Sequence, residues 1–185
     1  HLLGLGFCVT VIDNLSTGRT QNLSGWSESA AGQFQFLQMD INETDRLRQA
    51  FQGVSCVFHL AAIPSVSRSI ENPAATQFAN INGTLSVLTA ARDAEVKRVV
   101  AASSSSIYGD DANLPKQEGR TGRCLSPYAL SKFVTEEYCR LFYKLYGLET
   151  VALRYFNIFG PRQDPNSHYA AVIPRFATLL LSGNS

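Results

Sequence analysis

The chain has 185 residues, of which 45% are hydrophobic and 17% charged, and its net charge is +1. This composition supports a sizeable core, and the near-neutral balance argues against nucleic acid and an anionic membrane as partners, since both favour a basic face or stripe. The four cysteines are scattered, with no Cys-x-x-Cys pair and no histidine grouped with them. We therefore predict reduced thiols in a cytoplasmic protein rather than a metal site or a disulfide framework.

The length suits one domain, or one domain and the start of another. No apolar run reaches the length of a membrane span. The chain opens at His1 without a methionine and stops at Ser185 directly after an apolar helix, so we expect both ends to be truncated.

Two predicted strands near the start of the chain each end in an acidic residue. The first runs from about Cys8 to Ile12 and is closed by Asp13, and the second runs from Phe34 to Met39 and is closed by Asp40. In a dinucleotide-binding fold, an acid in the position of Asp13 accepts hydrogen bonds from the adenosine ribose, and Asp40 with the backbone of Ile41 is placed to face the adenine. A carboxylate in an ordinary turn explains either residue as well.

Gly4 and Gly6 do not form the glycine fingerprint of a dinucleotide-binding loop. That fingerprint follows a strand of its own and lies about twenty residues before the ribose-binding acid, whereas these glycines directly precede the strand closed by Asp13. We therefore expect the phosphate-binding loop to be missing.

Two helices are predicted in the next part of the chain. The first ends at Gly53 and has Asn42 or Thr44 as its N-cap. The second, from Pro73 to Ala94, contains Asn80 and a further asparagine two residues later. Because asparagine is a poor interior helix residue, we expect at least one of the pair to hydrogen-bond across to another loop or to a ligand.

Two apolar strands flank the second helix. The first, Val54 to Ala62, is interrupted by His59, which we interpret as a packed core residue rather than a catalyst. It ends in Ala61 and Ala62, whose small side chains let the backbone approach a flat cofactor. The other strand, about Arg98 to Ser103, leads into a serine cluster.

This alternation of apolar strands and helices predicts an α/β fold, a Rossmann-like doubly wound parallel sheet covered on both faces. Ligands of such sheets bind beyond the carboxyl ends of the strands. We expect that edge to gather Asp13, Asp40, Ala61, Ala62 and Ser104.

A predicted helix beginning near Ser126 carries Tyr128 and Lys132, which are four residues apart and thus on one face. Ser126 suits the N-cap and Pro127 the first turn. An alcohol loses its carbon-bound hydride only if its oxygen also gives up a proton, and a serine hydroxyl, a phenol and an ammonium group suit that transfer. Tyr-x-x-x-Lys also occurs by chance as a solvated pair.

After a helix stop at Gly147, another buried strand runs from Glu149 to Asn157. Residues 158–176 are rich in proline, glycine and polar residues, yet aromatic. We interpret this segment as a substrate-contacting loop that leads into a helix.

Five motifs occur in this order along the chain: HLAA, NINGT, SSSSIYG, YALSK and LRYFNIFGPRQDP. Together they resemble the extended short-chain dehydrogenase/reductases of the NAD-dependent epimerase/dehydratase family, which act on nucleotide sugars. The segments RQDPNSHYAAVIPRF and AASSSSIYG are most similar to the UDP-N-acetylglucosamine 4-epimerases. The resemblance implies NAD as the cofactor, a UDP-sugar as the substrate and a homodimer formed through the helix bearing the tyrosine and its neighbour.

The resemblance also implies roles for individual residues. Tyr128 is expected to be the catalytic base and acid, Lys132 to lower the pKa of Tyr128 and hold the nicotinamide ribose, and Ser104 to hydrogen-bond the sugar oxygen at the reacting carbon. The cofactor is assigned to Asp13 and Asn14 at the adenosine ribose, Asp40 and Ile41 at the adenine, Leu60, Ala61 and Ala62 at the diphosphate and ribose, Asn80 at the centre, and Tyr155 and Phe156 beside the nicotinamide. The substrate is assigned to Ser65, Ser104, Ser105, Asn157, Gln163, Ala171 and Val172, with Ser65 near an N-acetyl group.

By the same resemblance, residues 1–160 are an NAD-binding Rossmann domain without its first strand and glycine-rich loop, and residues 161–185 begin a substrate-binding region. Since the pyrophosphate and uridine sites are then incomplete, we expect these 185 residues alone to be inactive.

The implied reaction is epimerisation of a UDP-hexose at carbon four through a 4-keto intermediate. One alternative is a nucleotide-sugar 4,6-dehydratase, but those enzymes have an Asp-Glu pair where this chain has Ser105 and Ser106. A non-catalytic NAD-sensing protein on the same fold is the other alternative. It is expected to have lost Tyr128 or Lys132, and both are present.

Overall fold

The computed structural model describes residues 1–25, 32–160, 163 and 172–183. The strands within them are β1 (Val9–Asp13), β2 (Phe34–Gln38), β3 (Cys56–His59), β4 (Arg98–Ser104) and β5 (Glu149–Tyr155). The helices are α1 (Thr44–Ala50), α2 (Val66–Glu71), α3 (Pro73–Gln77), α4 (Gly83–Asp93), α5 (Pro127–Tyr146) and α6 (Val172–Leu181). A π turn, Phe78–Asn82, joins α3 to α4, and short 3-10 turns lie at Leu3–Leu5, Thr20–Leu23 and Ser105–Tyr108.

All strand pairs are parallel, as the sequence predicts for an α/β fold. Strand β1 pairs with β2, and β4 lies between β3 and β5. The expected single sheet is thus two sheets in the described residues, because no backbone hydrogen bonds join β1 to β3. In the β4–β5 register, Ser103 is paired with Arg154 and Ser104 with Tyr155, so both strands end at one edge.

The core lies on one side of the three-stranded sheet. Val99 and Ala101 of β4 are buried there with residues of α1, α4 and α5, including Leu47, Leu88 and Phe142. On the opposite side of the sheet, the expectation of complete burial is wrong for the described residues. Phe58, Val151 and Leu153 are 53%, 40% and 40% exposed, because the helices cover this face incompletely.

Helix α5 begins and ends as the sequence predicts. The Ser126 side chain accepts a hydrogen bond from the Ala129 amide at 3.0 Å, and Pro127 occupies the first helical position. Gly147 closes the helix with φ +73°, a left-handed conformation that glycine adopts without a steric penalty.

The N-cap predicted for α1 is wrong. The cap position is Glu43, and no side chain caps the helix. The Glu43 carboxylate instead accepts from the Asp40 amide at 2.9 Å and from Arg46, while the Asn42 side chain donates to the Asp40 carboxylate. The two side chains that were expected to cap the helix are thus used elsewhere, Asn42 in the loop after β2 and Thr44 in a hydrogen bond to Ser86 of α4 at 3.2 Å.

The predicted helix over residues 73–94 consists of α3, the π turn and α4. Asn72 caps it by accepting from the Ala75 amide at 3.0 Å. Helix α2, which the sequence analysis did not predict, precedes it. Within the described part of the chain, no helix is both long and apolar enough to cross a membrane.

Candidate active site

The carboxyl end of β4 and the start of α5 bring the three predicted catalytic side chains together. Ser104 hydrogen-bonds to Tyr128 and also accepts from the Ser106 amide at 3.1 Å. Lys132 Nζ lies 5.9 Å from the centre of the Tyr128 ring and donates to the Ala102 carbonyl at 2.8 Å. The arrangement joins a hydroxyl, a phenol and an ammonium group at one edge of the sheet.

Burial is the main influence on the pKa values of Tyr128 and Lys132. It raises the pKa of the Tyr128 phenol, and the hydrogen bond with Ser104 acts in the opposite direction. Burial also lowers the pKa of Lys132 to about 8. The effect of burial is the larger of the two at Tyr128, so the pKa of its phenol is raised.

A second polar cluster, which the sequence analysis missed, adjoins the first. The Ser103 hydroxyl donates to Glu136 Oε1 at 2.5 Å, and Arg154 donates to both Glu136 oxygens at 2.9 Å each. The Arg154 guanidinium also lies 5.1 Å from the centre of the Tyr108 ring. The one signal in the sequence is the four-residue spacing of Lys132 and Glu136 along α5.

The two acids predicted for the nucleotide lie at the ends of β1 and β2. The Asp40 carboxylate accepts from Asn14 Nδ2 at 2.8 Å, and from the backbone and side chain of Asn42 at 2.8 and 2.9 Å. The backbone amide of Asn42 is the main reason that the pKa of Asp40 is lowered. Asp13 accepts from the Leu15 amide at 2.6 Å. These carboxylates can accept hydrogen bonds from a sugar hydroxyl or an amino group.

Ile41 packs against the first residue of α4, Gly83. A Cβ atom at Gly83 would lie 2.4 Å from Ile41 Cδ1 and 3.0 Å from Cγ1. Since Gly83 has an ordinary helical φ of −57°, the Ile41 side chain, and not the backbone conformation, opposes a larger residue here.

The Asn80 side chain hydrogen-bonds to the backbone of the segment that follows β3. Residues 60–62 lie at the edge, and Leu60 is 62% exposed. Asn80 is 1% exposed; its amide oxygen accepts from the Ile63 amide at 2.7 Å, and its amide nitrogen donates to the Ile63 carbonyl and to Ser131 Oγ at 3.2 and 3.0 Å. The predicted hydrogen bond to another loop is confirmed, and these partners place Asn80 behind the edge rather than on it.

His59 is a core residue, as the sequence analysis interpreted it. It is 7% exposed, and its Nε2 lies 2.9 Å from Thr84 Oγ1, which donates to the Asn80 carbonyl. Burial and, secondarily, the charge of Lys132 lower the pKa of His59 to about 4. The imidazole is therefore neutral at physiological pH and supports the helices behind the site.

The residues predicted beside the nicotinamide lie at the end of β5, where Tyr155 is the last residue of the strand and Phe156 follows it. Tyr155 is half-buried and Asn157 is exposed. Phe156 is 62% exposed, and its ring centre lies 6.0 Å from that of Tyr108. This aromatic pair forms one wall of the edge next to Ser104.

The predicted substrate residues are not all within the described part of the chain. Ser65 is the N-cap of α2 and accepts from the Arg68 amide at 3.2 Å, and Ser105 lies half-buried in the turn after β4. Gln163 is half-buried, with its side-chain oxygen buried. Ala171 and the side chain of Val172 lie outside the described residues.

Neither metal nor disulfide chemistry is indicated in the described ranges. No cluster of three or more histidine, cysteine or acidic side chains there could hold a metal ion. Cys8, Cys56, Cys124 and Cys139 are all unbridged.

The chain is similar to known proteins along its whole length. The model of the NAD dependent epimerase/dehydratase family matches residues 1–185. A putative UDP-glucose 4-epimerase from Methanocaldococcus jannaschii is 37% identical over 186 residues, which cover 100% of this chain and 58% of that protein.

Two solved structures share the fold. The UDP-N-acetylglucosamine 4-epimerase of Methanobrevibacter ruminantium M1, in complex with UDP-N-acetylmuramic acid, is 41% identical with a TM-score of 0.89, over 96% of this chain and 56% of that one. The dTDP-glucose 4,6-dehydratase DesIV of Streptomyces venezuelae, a double mutant with NAD bound, is 33% identical with a TM-score of 0.84, over 95% and 53%. This chain thus spans a little over half the length of these relatives. The match along its whole length and the shared Rossmann-like fold show that the chain belongs to the NAD-dependent epimerase/dehydratase family, whose cofactor is NAD.

Proposed function

We propose that this chain is the NAD-binding part of a UDP-hexose 4-epimerase that interconverts UDP-N-acetylglucosamine and its galacto epimer. The observation that carries the proposal is the meeting of Ser104, Tyr128 and Lys132 at the carboxyl end of β4. Similarity to two 4-epimerases, at 37% and 41% identity, supports the reaction type. The N-acetylated sugar is supported by the segment RQDPNSHYAAVIPRF and by the name of the 41% identical enzyme.

The residues at the sheet edge fit a dinucleotide. Asp13 and Asp40 offer carboxylates at the end where the adenosine is expected. After β3 and β5, Leu60 and Phe156 are each 62% exposed, and the small Ala61 directly follows Leu60 in the sequence. Large apolar side chains exposed beside convergent polar groups are typical of a ligand site. Asn80 then acts through Ile63, by fixing the backbone that faces the cofactor.

Tyr128 moves the proton in this proposal. NAD bound at the edge supplies the hydride acceptor and later the hydride donor. Tyr128 takes the proton of the sugar hydroxyl as the carbon-bound hydride leaves, and returns it after the 4-keto sugar has turned over in the pocket. Ser104 hydrogen-bonds both the phenol and the reacting oxygen, and the Lys132 ammonium favours the phenolate, which burial alone disfavours.

Replacement of Tyr128 by phenylalanine tests the proposal in the complete polypeptide that contains this chain. We expect Tyr128→Phe to lower kcat for UDP-N-acetylglucosamine by about a thousandfold, because the proton then has no acceptor, with NAD affinity nearly unchanged. Product analysis by chromatography measures the galacto epimer. Tyr143→Phe, on the same helix but 61% exposed, is the matched control and should keep wild-type activity. Near wild-type epimerisation by Tyr128→Phe would falsify the assignment.

A 4,6-dehydratase is the second candidate, because DesIV is 33% identical to this chain. Water loss needs an additional acid and base, and the positions of the dehydratase Asp-Glu pair are Ser105 and Ser106 here. The Ser106 hydroxyl is buried without a partner in the described residues, so nothing there activates it. Release of a 4-keto-6-deoxy sugar in the same assay would favour this candidate.

The proposal extends to organisation. In this proposal the enzyme is cytoplasmic, residues 1–160 form its NAD-binding domain, and residues 161–185 begin its substrate-binding region. The 185 residues alone are expected to be inactive. A homodimer through α4 and α5 is supported by Leu85, Leu130 and Phe133, which are 38%, 50% and 36% exposed. Sedimentation equilibrium of the complete polypeptide tests the dimer, and a monomer mass contradicts it.

A further inference from the structure

The end of β4 is fastened to α5 at three consecutive positions. Each contact joins one residue of the strand to a residue of the helix, and the three helix residues are spaced by four, one turn apart. The pairs are Ala102 carbonyl with Lys132, Ser103 hydroxyl with Glu136, and Ser104 hydroxyl with Tyr128. The outer two pairs include the proposed catalytic residues, and the middle pair has no assigned role.

Glu136 is held rigidly by Arg154 of β5. Two parallel hydrogen bonds join them, Nε to Oε1 and Nη2 to Oε2, both at 2.9 Å. The side chains are only 17% and 16% exposed, and the hydrogen bond to Glu136 raises the pKa of Arg154. Such bidentate pairs fix geometry better than a single contact. The carboxylate that accepts from Ser103 is therefore fixed in place.

Arg154 also contacts two residues outside the pair with Glu136, namely Glu118 and Tyr108. Its Nη1 donates to the Glu118 carbonyl at 2.8 Å, in the loop that leads into α5. Its guanidinium lies over the ring of Tyr108, which packs against Phe156. One arginine thus connects the loop before Tyr128, the turn after β4 and the residue proposed to lie beside the nicotinamide.

We propose that Glu136 and Arg154 are positioning residues. Arg154 fixes the Glu136 carboxylate, Glu136 fixes the Ser103 hydroxyl, and the neighbouring Ser104 is thereby held in line with Tyr128. The inference rests on the proposed function, since it concerns the same hydroxyl and phenol. A misplacement of catalytic groups by about 1 Å can cost on the order of a hundredfold in rate. Glu136 and Ser103 themselves touch neither the phenol nor the reacting oxygen.

The test uses Glu136→Gln and Ser103→Ala in the complete polypeptide, with kcat expressed per NAD-loaded site. Loss of a hydrogen bond to a charged group predicts a fall in kcat of roughly tenfold in each variant. The KM for UDP-N-acetylglucosamine and the Kd for NAD should change less than about twofold, because only alignment in the transition state is lost. Ser103→Ala leaves the ion pair with Arg154 intact, so it gives a result even if Glu136→Gln folds poorly.

Glu137→Gln is the matched control. Glu137 is the next residue of α5 and pairs with Arg140 at 2.7 Å, on side chains 43% and 58% exposed, away from the site. This variant should keep the wild-type kcat. The double variant of Ser103 and Glu136 should be no slower than the slower single variant, because both changes break one connection.

Wild-type kcat in Ser103→Ala, or a Glu136→Gln variant that loses thermal stability but not kcat, overturns the inference and leaves the pair a structural one. A rise confined to KM, or additive losses in the double variant, overturns it as well. Failure of the proposed function is distinct: Tyr128→Phe would then retain activity, or the wild-type protein would form no epimer.

Discussion

His59 and Lys132 are two basic side chains of one buried region, and burial lowers the pKa of both. The charge of Lys132 adds to the lowering at His59. A neutral imidazole is the form that this region accepts without a second buried cation. His59 can thus remain in the core near Lys132 at physiological pH.

This arrangement predicts acid sensitivity. The pKa of His59 is about 4 in the folded chain and its ordinary value is 6.5, so between these pH values the unfolded chain binds a proton that the folded chain does not. Stability should therefore fall as the pH drops from about 6.5 to about 4, by up to roughly 3 kcal/mol. Urea unfolding at a series of pH values measures it.

His59→Gln should flatten this pH dependence, since glutamine can still donate to Thr84 but does not titrate. His1→Gln, at the exposed N-terminal residue, should leave it unchanged. An equally steep acid limb in His59→Gln would assign the effect to other groups.

At the scale of elements, the loop after β2 and helix α4 are fitted to each other at Gly83. Alanine is the better helix former by about 1 kcal/mol, yet its Cβ would lie 2.4 Å from Ile41 Cδ1. An alanine would therefore displace the Ile41 side chain, and Ile41 follows Asp40 at the proposed adenine site.

We therefore expect Gly83→Ala to weaken NAD binding by about tenfold, the equivalent of about 1.4 kcal/mol, with little loss of stability because helix propensity offsets part of the strain. Isothermal titration of the complete polypeptide with NAD measures it. Gly119→Ala is the control, since a Cβ there meets nothing within 4 Å. Unchanged NAD affinity in Gly83→Ala would show that Ile41 does not contact the adenine.

The sequence predicts elements whose signals are local. Ser126, Pro127 and Gly147 mark α5 correctly because a cap depends on its own helix. Glu136 and Arg154 lie on different elements, 18 residues apart, and their pairing exists only once β5 is beside β4. The N-cap of α1 was mispredicted for a related reason, since Asp40 competes for Asn42. The resemblance supplied residue roles that local patterns leave open.

At the scale of the whole molecule, the proposed NAD site spans two sheets that share no hydrogen bonds in the described residues. Asp40 follows β2 of the first sheet, and Lys132 lies against β4 of the second. A dinucleotide that contacts both ends is therefore expected to link the two sheets.

Bound NAD should accordingly stabilise the complete polypeptide against urea, by about 2.7 kcal/mol at a hundred times its Kd. Asp40→Asn should reduce that gain at a fixed NAD concentration, because a charged acceptor is lost. Asp45→Asn, at a side chain 88% exposed on α1, should not. Identical unfolding curves with and without NAD would contradict a site of this kind.

The π turn at Phe78–Asn82 has a consequence for the design of variants. A π turn contains one more residue than an α turn, and each residue of an α-helix adds about 100° of rotation. The buried face of α4, with Thr84 and Leu88, is therefore out of phase with that of α3. Deleting one residue in the turn would leave a continuous α-helix, yet rotate Thr84 away from His59. Chain length at this turn is thus constrained more tightly than residue type.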